Sequence, residues 1–298
     1  MPMKRTITGV AVAVLLAGVP FATAAAGAEE HSCGPPGNEY VPDIVGTDGD
    51  DHIVGTSDGE VILALGGDDT IEGLDGADTI CGNEGDDVIR GGPGDDTILD
   101  GLNGDRVDAG DGNDYVLPRG SGDVIDGGPG EDHLSFYFYD GIEMEVATGV
   151  VTSGGGRTTS FDGFESYRGS YGDDVMRGTE GDDVLSGGPG VDRLYGGRGD
   201  DYLSENWDRG YVWGGPGNDE IRQGRTGNDV LRGGPGNDQM NGGGHRDRLL
   251  GAEGDDKLVG GPSADSLFGG GGTDRCGEDK DDRERQGCEL PLSDGSST

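Results

Sequence analysis

Gly91-Gly92-Pro93-Gly94-Asp95-Asp96-Thr97-Ile98-Leu99 is one period of a pattern that governs most of this chain. The nine residues before it, from Gly82, read GNEGDDVIR, and the nine before those, from Gly73, read GLDGADTIC. Counted outward in the same phase, ten such repeats run without a gap from Gly46 to Ser135. A second array begins at Gly169 (GSYGDDVMR) and ends at Gly277, twelve repeats with one extra residue between Gln223 and Arg232. Glycine recurs at positions one, two or four, an acid at position six and an aliphatic residue at position eight. A fixed period of this length is the mark of a repeat architecture.

Composition alone points the other way. Of 298 residues, 66 are glycine, 60 are acidic and only 21 are Lys or Arg, giving a formal charge of −39 with 31% hydrophobic residues. Glycine loses more backbone freedom on folding than any other residue, and a chain this acidic and this poor in apolar residues reads as disordered. A disordered acidic tract has no reason to place Asp and an aliphatic residue every ninth position. The phase therefore implies a fold, and the charge implies that something neutralises it.

The spacing predicts the form of that fold. One aliphatic residue in nine cannot make a helical stripe, which needs one every three or four. A six-residue Gly/Asp turn followed by a three-residue strand fits, with position eight pointing inward and its neighbours outward. Two turns and two strands then complete an 18-residue coil, and successive coils stack their strands in parallel. Two aliphatic columns should face each other, one of Ile53, Ile71, Ile89, Val107 and Ile125, the other of Ile62, Ile80, Ile98, Val116 and Leu134. One buried aliphatic per repeat is worth about 1.5–3 kcal/mol and does not offset the entropy of ordering nine residues. The expected fold class is all-β, a parallel β-roll (β-solenoid) of nonapeptide repeats in two arrays separated by a short β insertion.

The missing stabilisation is predicted to come from metal. Position six of the first array carries Asp51, Asp69, Asp78, Asp87, Asp96, Asp105, Asp114, Asp123 and Asp132, broken only by Glu60. In the second array it carries Asp174, Asp183, Asp192, Asp201, Asp219, Asp229, Asp238, Asp247, Asp256, Asp265 and Asp274, broken only by Gly210. In an 18-residue coil each of these has a partner one coil away on the same edge, as Asp51 has Asp69 and Asp78 has Asp96. Paired carboxylates with glycine-rich turns, whose carbonyls can turn inward, offer the all-oxygen shell that calcium takes. Magnesium keeps its water and demands a strict octahedron, while zinc prefers nitrogen and sulfur. Several Ca2+ ions are therefore the expected cofactor, with binding and folding a single event. The position-five acids (Asp50, Asp68, Asp86, Asp95) read equally as a solvated face.

The repeat G-G-x-G-x-D-x-aliphatic-x resembles the RTX, or hemolysin-type, calcium-binding nonapeptide and covers about two-thirds of the chain. The resemblance implies a parallel β-roll with calcium between the turns, held by the position-six Asp and turn carbonyls. Phe164 to Gly172 (FESYRGSYG) also resembles the way such arrays restart after an insertion. One repeat departs: Glu205 to Trp213 (ENWDRGYVW) lacks both the turn glycines and the Asp, so no regular site is expected there.

Outside the arrays the signals are fewer. Lys4 and Arg5, an apolar run from Ile7 to Phe21 and the small residues Ala26, Gly27 and Ala28 have the form of a secretory signal over 1–28, whose removal would take the charge to −41. A leader (29–45), the first array (46–135), an insertion (136–168), the second array (169–277) and a tail (278–298) follow. The expected protein is secreted, without membrane insertion, and too anionic to bind nucleic acid. Ile142, Met144 and Val146 alternate as a strand, and the aromatics Phe136 to Tyr139 with Phe161, Phe164 and Tyr167 read as cover for the edge of the roll or as a binding patch. Trp207, Tyr211 and Trp213 read as a plug over the irregular coil or as a sugar-stacking patch. Four cysteines in an exported chain allow three pairings, of which Cys33 with Cys81 and Cys276 with Cys288 needs least reach; Cys276 also holds a core position and could be a buried thiol. His31, His52, His133 and His245 are scattered, with no H-E-x-x-H or G-x-S-x-G motif. The function expected is calcium binding without catalysis. Two alternatives stand beside it: a calcium-stiffened surface or matrix adhesion module with an unidentified glycan or cell-surface ligand, and a secreted hydrolase with its site in the insertion.

Overall fold

The computed structural model describes residues 5–6, 41–205, 208–224, 226–277, 282 and 284–291. The chain is all-β, and among the described residues the one helical element is a 3-10 turn at Val146–Thr148. No helix among the described residues is long and apolar enough to cross a membrane. The predicted signal segment lies outside the described residues, apart from Arg5–Thr6, which pair in parallel with Ile44–Val45. Two compact units form, one of residues 1–135 with 157–165, the other of 136–156 with 166–298.

Within the first unit the nonapeptides alternate between two parallel sheets. Val61–Leu63, Thr79–Cys81, Thr97–Leu99, Tyr115–Val116 and His133–Ser135 stack in one, each strand 18 residues after the last. His52–Val54, Thr70–Glu72, Val88–Pro93, Arg106–Asp111 and Val124–Asp126 stack in the other. The register sets Ile53 beside Ile71 and Ile62 beside Ile80, so both expected aliphatic columns exist, and every member is at most 2% exposed. Val61, Thr70 and Thr79, one residue earlier, are only half-buried, as the two-residue period of a strand requires.

The glycines explain themselves in Gly91–Leu99. Gly92 and Gly94 have φ of 112° and 145°, conformations that a side chain resists. Gly91 has ordinary φ, but a β-carbon there would collide with the Ala109 carbonyl and with the carboxylate of Asp96. Two glycines therefore shape the turn and the third makes room for the acid.

The second unit repeats the scheme. Leu185, Leu203, Ile221, Met240, Leu258 and Cys276 form one buried column, and Met176, Leu194, Val212, Leu231, Leu249 and Leu267 the other. The extra residue is absorbed without loss of phase: Glu220 pairs with Gln239 and Tyr211 with Val230, 19 residues apart instead of 18. Cys276 keeps its core place and also forms a disulfide with Cys288. Cys81 is disulfide-bonded as well; its expected partner Cys33 lies outside the described residues.

The insertion is divided between the units. Arg157–Asp162 adds a parallel strand to the first, with Phe161 following Ile125 in its column. Ile142–Glu145 and Val150–Ser153 form an antiparallel hairpin in the second, Met144 lying beside Met176, and Val146 belongs to the 3-10 turn. Tyr167 pairs with Leu185 and is buried, as are Phe136 and Phe164. These aromatics are therefore core residues of the coils they join.

Candidate metal centre

Each turn delivers its position-six aspartate into the coil edge because position one, a glycine in most repeats, leaves that space empty. All twenty of these aspartates are buried, none more than 6% exposed. One carboxylate oxygen has a fixed use. The N–H of Asp69 donates to Asp87 Oδ1 (2.9 Å), that of Asp87 to Asp105 Oδ1 (2.8 Å), and on the other edge that of Asp78 to Asp96 Oδ1 and of Asp96 to Asp114 Oδ1, both 2.8 Å. The same ladder joins Asp183, Asp201, Asp219, Asp238, Asp256 and Asp274 in the second unit. The coil thus brings the predicted pairs together.

The other oxygen is the informative one. In Asp69, Asp78, Asp87, Asp96, Asp105 and Asp114 of the first unit Oδ2 is buried with no hydrogen-bond partner. The same holds for Asp192, Asp201, Asp219, Asp229, Asp238, Asp247, Asp256 and Asp274 of the second. A buried carboxylate oxygen without a donor is costly unless a proton or a cation meets it. Burial, the largest cause, pushes Asp69, Asp96, Asp192 and Asp201 up to about 7, and Asp105, Asp238 and Asp247 up to about 8. The N–H from the neighbouring coil opposes this, while carboxylates one coil away, Asp87 and Asp51 around Asp69, add to it. Buried, anionic, all-oxygen and repeated at one coil's spacing, this donor set fits a hard divalent cation.

The first repeats of each array differ. Thr47 donates its N–H and hydroxyl to Asp51 Oδ2 (2.6 and 2.9 Å), and Thr179 does the same for Asp183 (2.6 and 3.0 Å). Ser170 gives Asp174 its N–H and hydroxyl, each at 2.6 Å. A hydroxyl residue at position two therefore serves the Oδ2 of Asp51 and Asp183 that most other repeats leave open, while Asp51 Oδ1 stays buried without a partner.

Several acids in these columns were not legible from position six. The N–H of Asp132 donates to Glu165 Oε2 (2.6 Å) and that of Asp274 to Glu289 Oε2 (2.7 Å), so glutamates from outside the phased repeats complete the ladders. In the irregular repeat Gly210 brings no carboxylate, but a β-carbon on it would lie 2.8 Å from Cγ of Glu205, which is fully buried. Positions one and six have exchanged roles there. Asp100 is also at position one, and one oxygen from each of Asp100, Asp105 and Asp123 lies within 4.8 Å of the others.

The position-five residues form a second ladder of opposite sense. Asp68 donates its N–H to Asp50 Oδ1 (3.0 Å), Asp86 to Asp68 (3.0 Å) and Asn113 to Asp95 (2.9 Å), all exposed. Asn218 accepts from Asn237 and Asn237 from Asp255 in the same way. Here the side chain accepts from the later coil, whereas at position six it accepts from the earlier one. Asn serves as acceptor as well as Asp, so the charge is not specified, and the ladder is interrupted where position five is Gly59, Ala77, Gly104 or Val191.

Tyr211 and Trp213 flank the buried Val212 and face outward, Trp213 being 45% exposed, so they do not plug the coil; Trp207 lies outside the described residues.

No curated protein matches the chain. The family model of the RTX calcium-binding nonapeptide repeat (four copies) matches residues 54–89, 81–116, 168–203, 213–249, 223–258 and 241–276. These spans cover more than half of the chain and coincide with the coils whose aspartates are buried in columns. By fold, by phase and by this match, the chain belongs to the RTX calcium-binding nonapeptide repeat family.

Proposed function

We propose that this is an exported, non-catalytic calcium-binding protein whose coils close as the ion is taken up, each ion being held between position-six aspartates of successive coils. The observation that carries the reading is the row of buried Oδ2 atoms that no protein donor meets. Calcium, when bound, supplies the countercharge and accepts these oxygens together with turn carbonyls. The backbone N–H ladder through Oδ1 orients each carboxylate, and the position-one glycine gives it room. The first repeats, where Thr47, Thr179 and Ser170 already serve the carboxylate, act as ends of the arrays.

A second reading, a calcium-stiffened adhesion module, draws on the outer face of the second unit. Trp213 stacks on Tyr195 with ring centres 5.9 Å apart, Arg232 lies 4.6 Å over Trp213, and Arg177 lies 5.6 Å over Tyr195. Flat rings framed by guanidinium groups can stack on sugars. Binding of the calcium-loaded chain to glycan arrays, lost in Trp213→Ala, would support it; equal signals from both proteins, or none, would remove it.

Three measurements test the calcium reading. Far-ultraviolet circular dichroism of the metal-free chain at pH 8 should change from coil-like to β-rich on adding calcium and stay coil-like in magnesium. A β-rich spectrum in excess chelator at that pH contradicts it. Asp87→Ala should weaken calcium-dependent folding by about tenfold or more in the calcium required, given that site affinity follows ligand charge. Asp86→Ala, which loses one exposed ladder bond, that from the Gly104 N–H, should shift it far less; equal effects would deny position six its role. The last test is pH. The raised aspartates hold protons in the folded state up to about 6–8 that the unfolded chain releases near 3.8. Their protonation therefore favours folding below that window and is lost as pH rises through it. In chelator, acidification from pH 8 to 5 should raise β content, while calcium affinity should fall over the same range; a flat response in both would show the aspartates to be ordinary.

A further inference from the structure

Asp100 opens its repeat at the position where Gly73, Gly82 and Gly91 open theirs. In those repeats the missing side chain is what admits the position-six carboxylate. Asp100 instead brings a second carboxylate to the same edge, beside Asp105 of its own repeat and Asp123 of the next coil. One oxygen from each lies within 4.8 Å of the others, and exposure is 0% for Asp100 and Asp123 and 1% for Asp105.

The hydrogen bonds account for only part of this cluster. Asp100 Oδ1 accepts the N–H of Gly101 (2.6 Å) and of Arg119 (3.0 Å). Pro118, the residue before Arg119, has no N–H, so the carboxylate takes the first one the turn offers. Asp123 accepts the N–H of Asp105 (3.2 Å) through Oδ1 and the hydroxyl of Thr159 (2.8 Å) through Oδ2. Asp100 Oδ2 and Asp105 Oδ2 are fully buried with no partner. Three carboxylates this close repel strongly in a low-dielectric site unless a cation lies among them.

We infer that Asp100, Asp105 and Asp123, with Thr159 fixing Asp123, form a three-carboxylate cation site that takes calcium more tightly than the ordinary repeats and favours ions of higher charge. It rests on the calcium reading above and adds a ligand from position one, outside the repeat's own pattern. The strand Arg157–Asp162, which carries Thr159, closes the site from the insertion. Three anionic ligands where an ordinary repeat pair brings two raise affinity through charge count.

Calorimetric titration of the calcium-free full chain at pH 7.5 tests this. The wild-type isotherm should begin with a one-ion step about tenfold or more tighter than the rest. Asp100→Asn keeps a carbonyl acceptor for the Gly101 and Arg119 N–H groups but removes the charge; Asp100→Gly restores the ordinary repeat. Both should lose the tight step and keep the remaining ones. If Asp100→Asn retains the step, or the wild type never shows it, the site is only a backbone cap and the inference fails. If the wild type takes up no calcium at all, the broader reading fails with it, which is a separate outcome. A measurement independent of variants uses terbium, whose luminescence lifetimes in H2O and D2O count bound water. The first equivalent should be less hydrated than later ones, and equal hydration would overturn the inference.

Discussion

The structure depends on how negative charge is held inside it. Twenty position-six aspartates sit at 6% exposure or less, in rows whose neighbours are one coil apart. A carboxylate in such a place must be protonated, paired or coordinated. The fold provides each with one backbone N–H, as Asp96 provides for Asp114, and leaves the second oxygen open in most repeats. Hydrophobic burial cannot make up the difference, since Ile80 or Ile98 is the only fully internal aliphatic in its repeat. The interior thus holds carboxylate oxygens that its own donors do not meet, and the aliphatic columns run between the two rows of aspartates.

Around that constraint the other positions fall into place. Gly92 and Gly94 turn the chain through conformations other residues avoid, while Gly91 is small because Asp96 fills the volume in front of it. Where position five is Asp or Asn it supplies an exposed acceptor opposite in sense to the position-six ladder, so a turn such as Gly82–Arg90 is tied to the coil before it by Asp87 and to the coil after it by Asp86. The two ladders explain how a chain with 66 glycines keeps a single register. A slip of one residue would break both at once and would turn the aliphatic column outward.

Much of this was legible in the sequence because it is periodic. The two columns from Ile53 and Ile62, the three-residue strands, the 18-residue coil and the pairing of Asp78 with Asp96 all follow from phase alone. What phase could not supply is the sense of a hydrogen bond, so the position-five ladder read as solvated acid. Nor could it supply residues that enter the rows from outside the period. Glu165 and Glu289 reach in from beyond the phased acids, and Phe161 takes a place in a column from within an insertion that looked like edge cover. The outward aim of Tyr211 and Trp213 was likewise hidden, because the absence of turn glycines in their repeat suggested a coil that needed plugging. Its strand is regular, and Val212 holds the core position.

The irregular repeat also shows what the coil edge requires. In Gly91–Leu99 the small residue is at position one and the acid at position six; in Glu205–Trp213 the acid is at position one and the small residue at position six. The Glu205 side chain, one methylene longer than Asp, crosses to the space beside Gly210. Glu165 serves the N–H of Asp132 from the bend between the strands Arg157–Asp162 and Ser166–Arg168. The requirement is thus a carboxylate within a given volume, and the sequence position that delivers it can change. Where two positions deliver one to the same volume, as Asp100 and Asp105 do, the coil carries an excess of negative charge that its own donors do not meet. An array built on this rule can lose its consensus in one repeat without losing its row of anions, and can concentrate charge in another without changing its backbone.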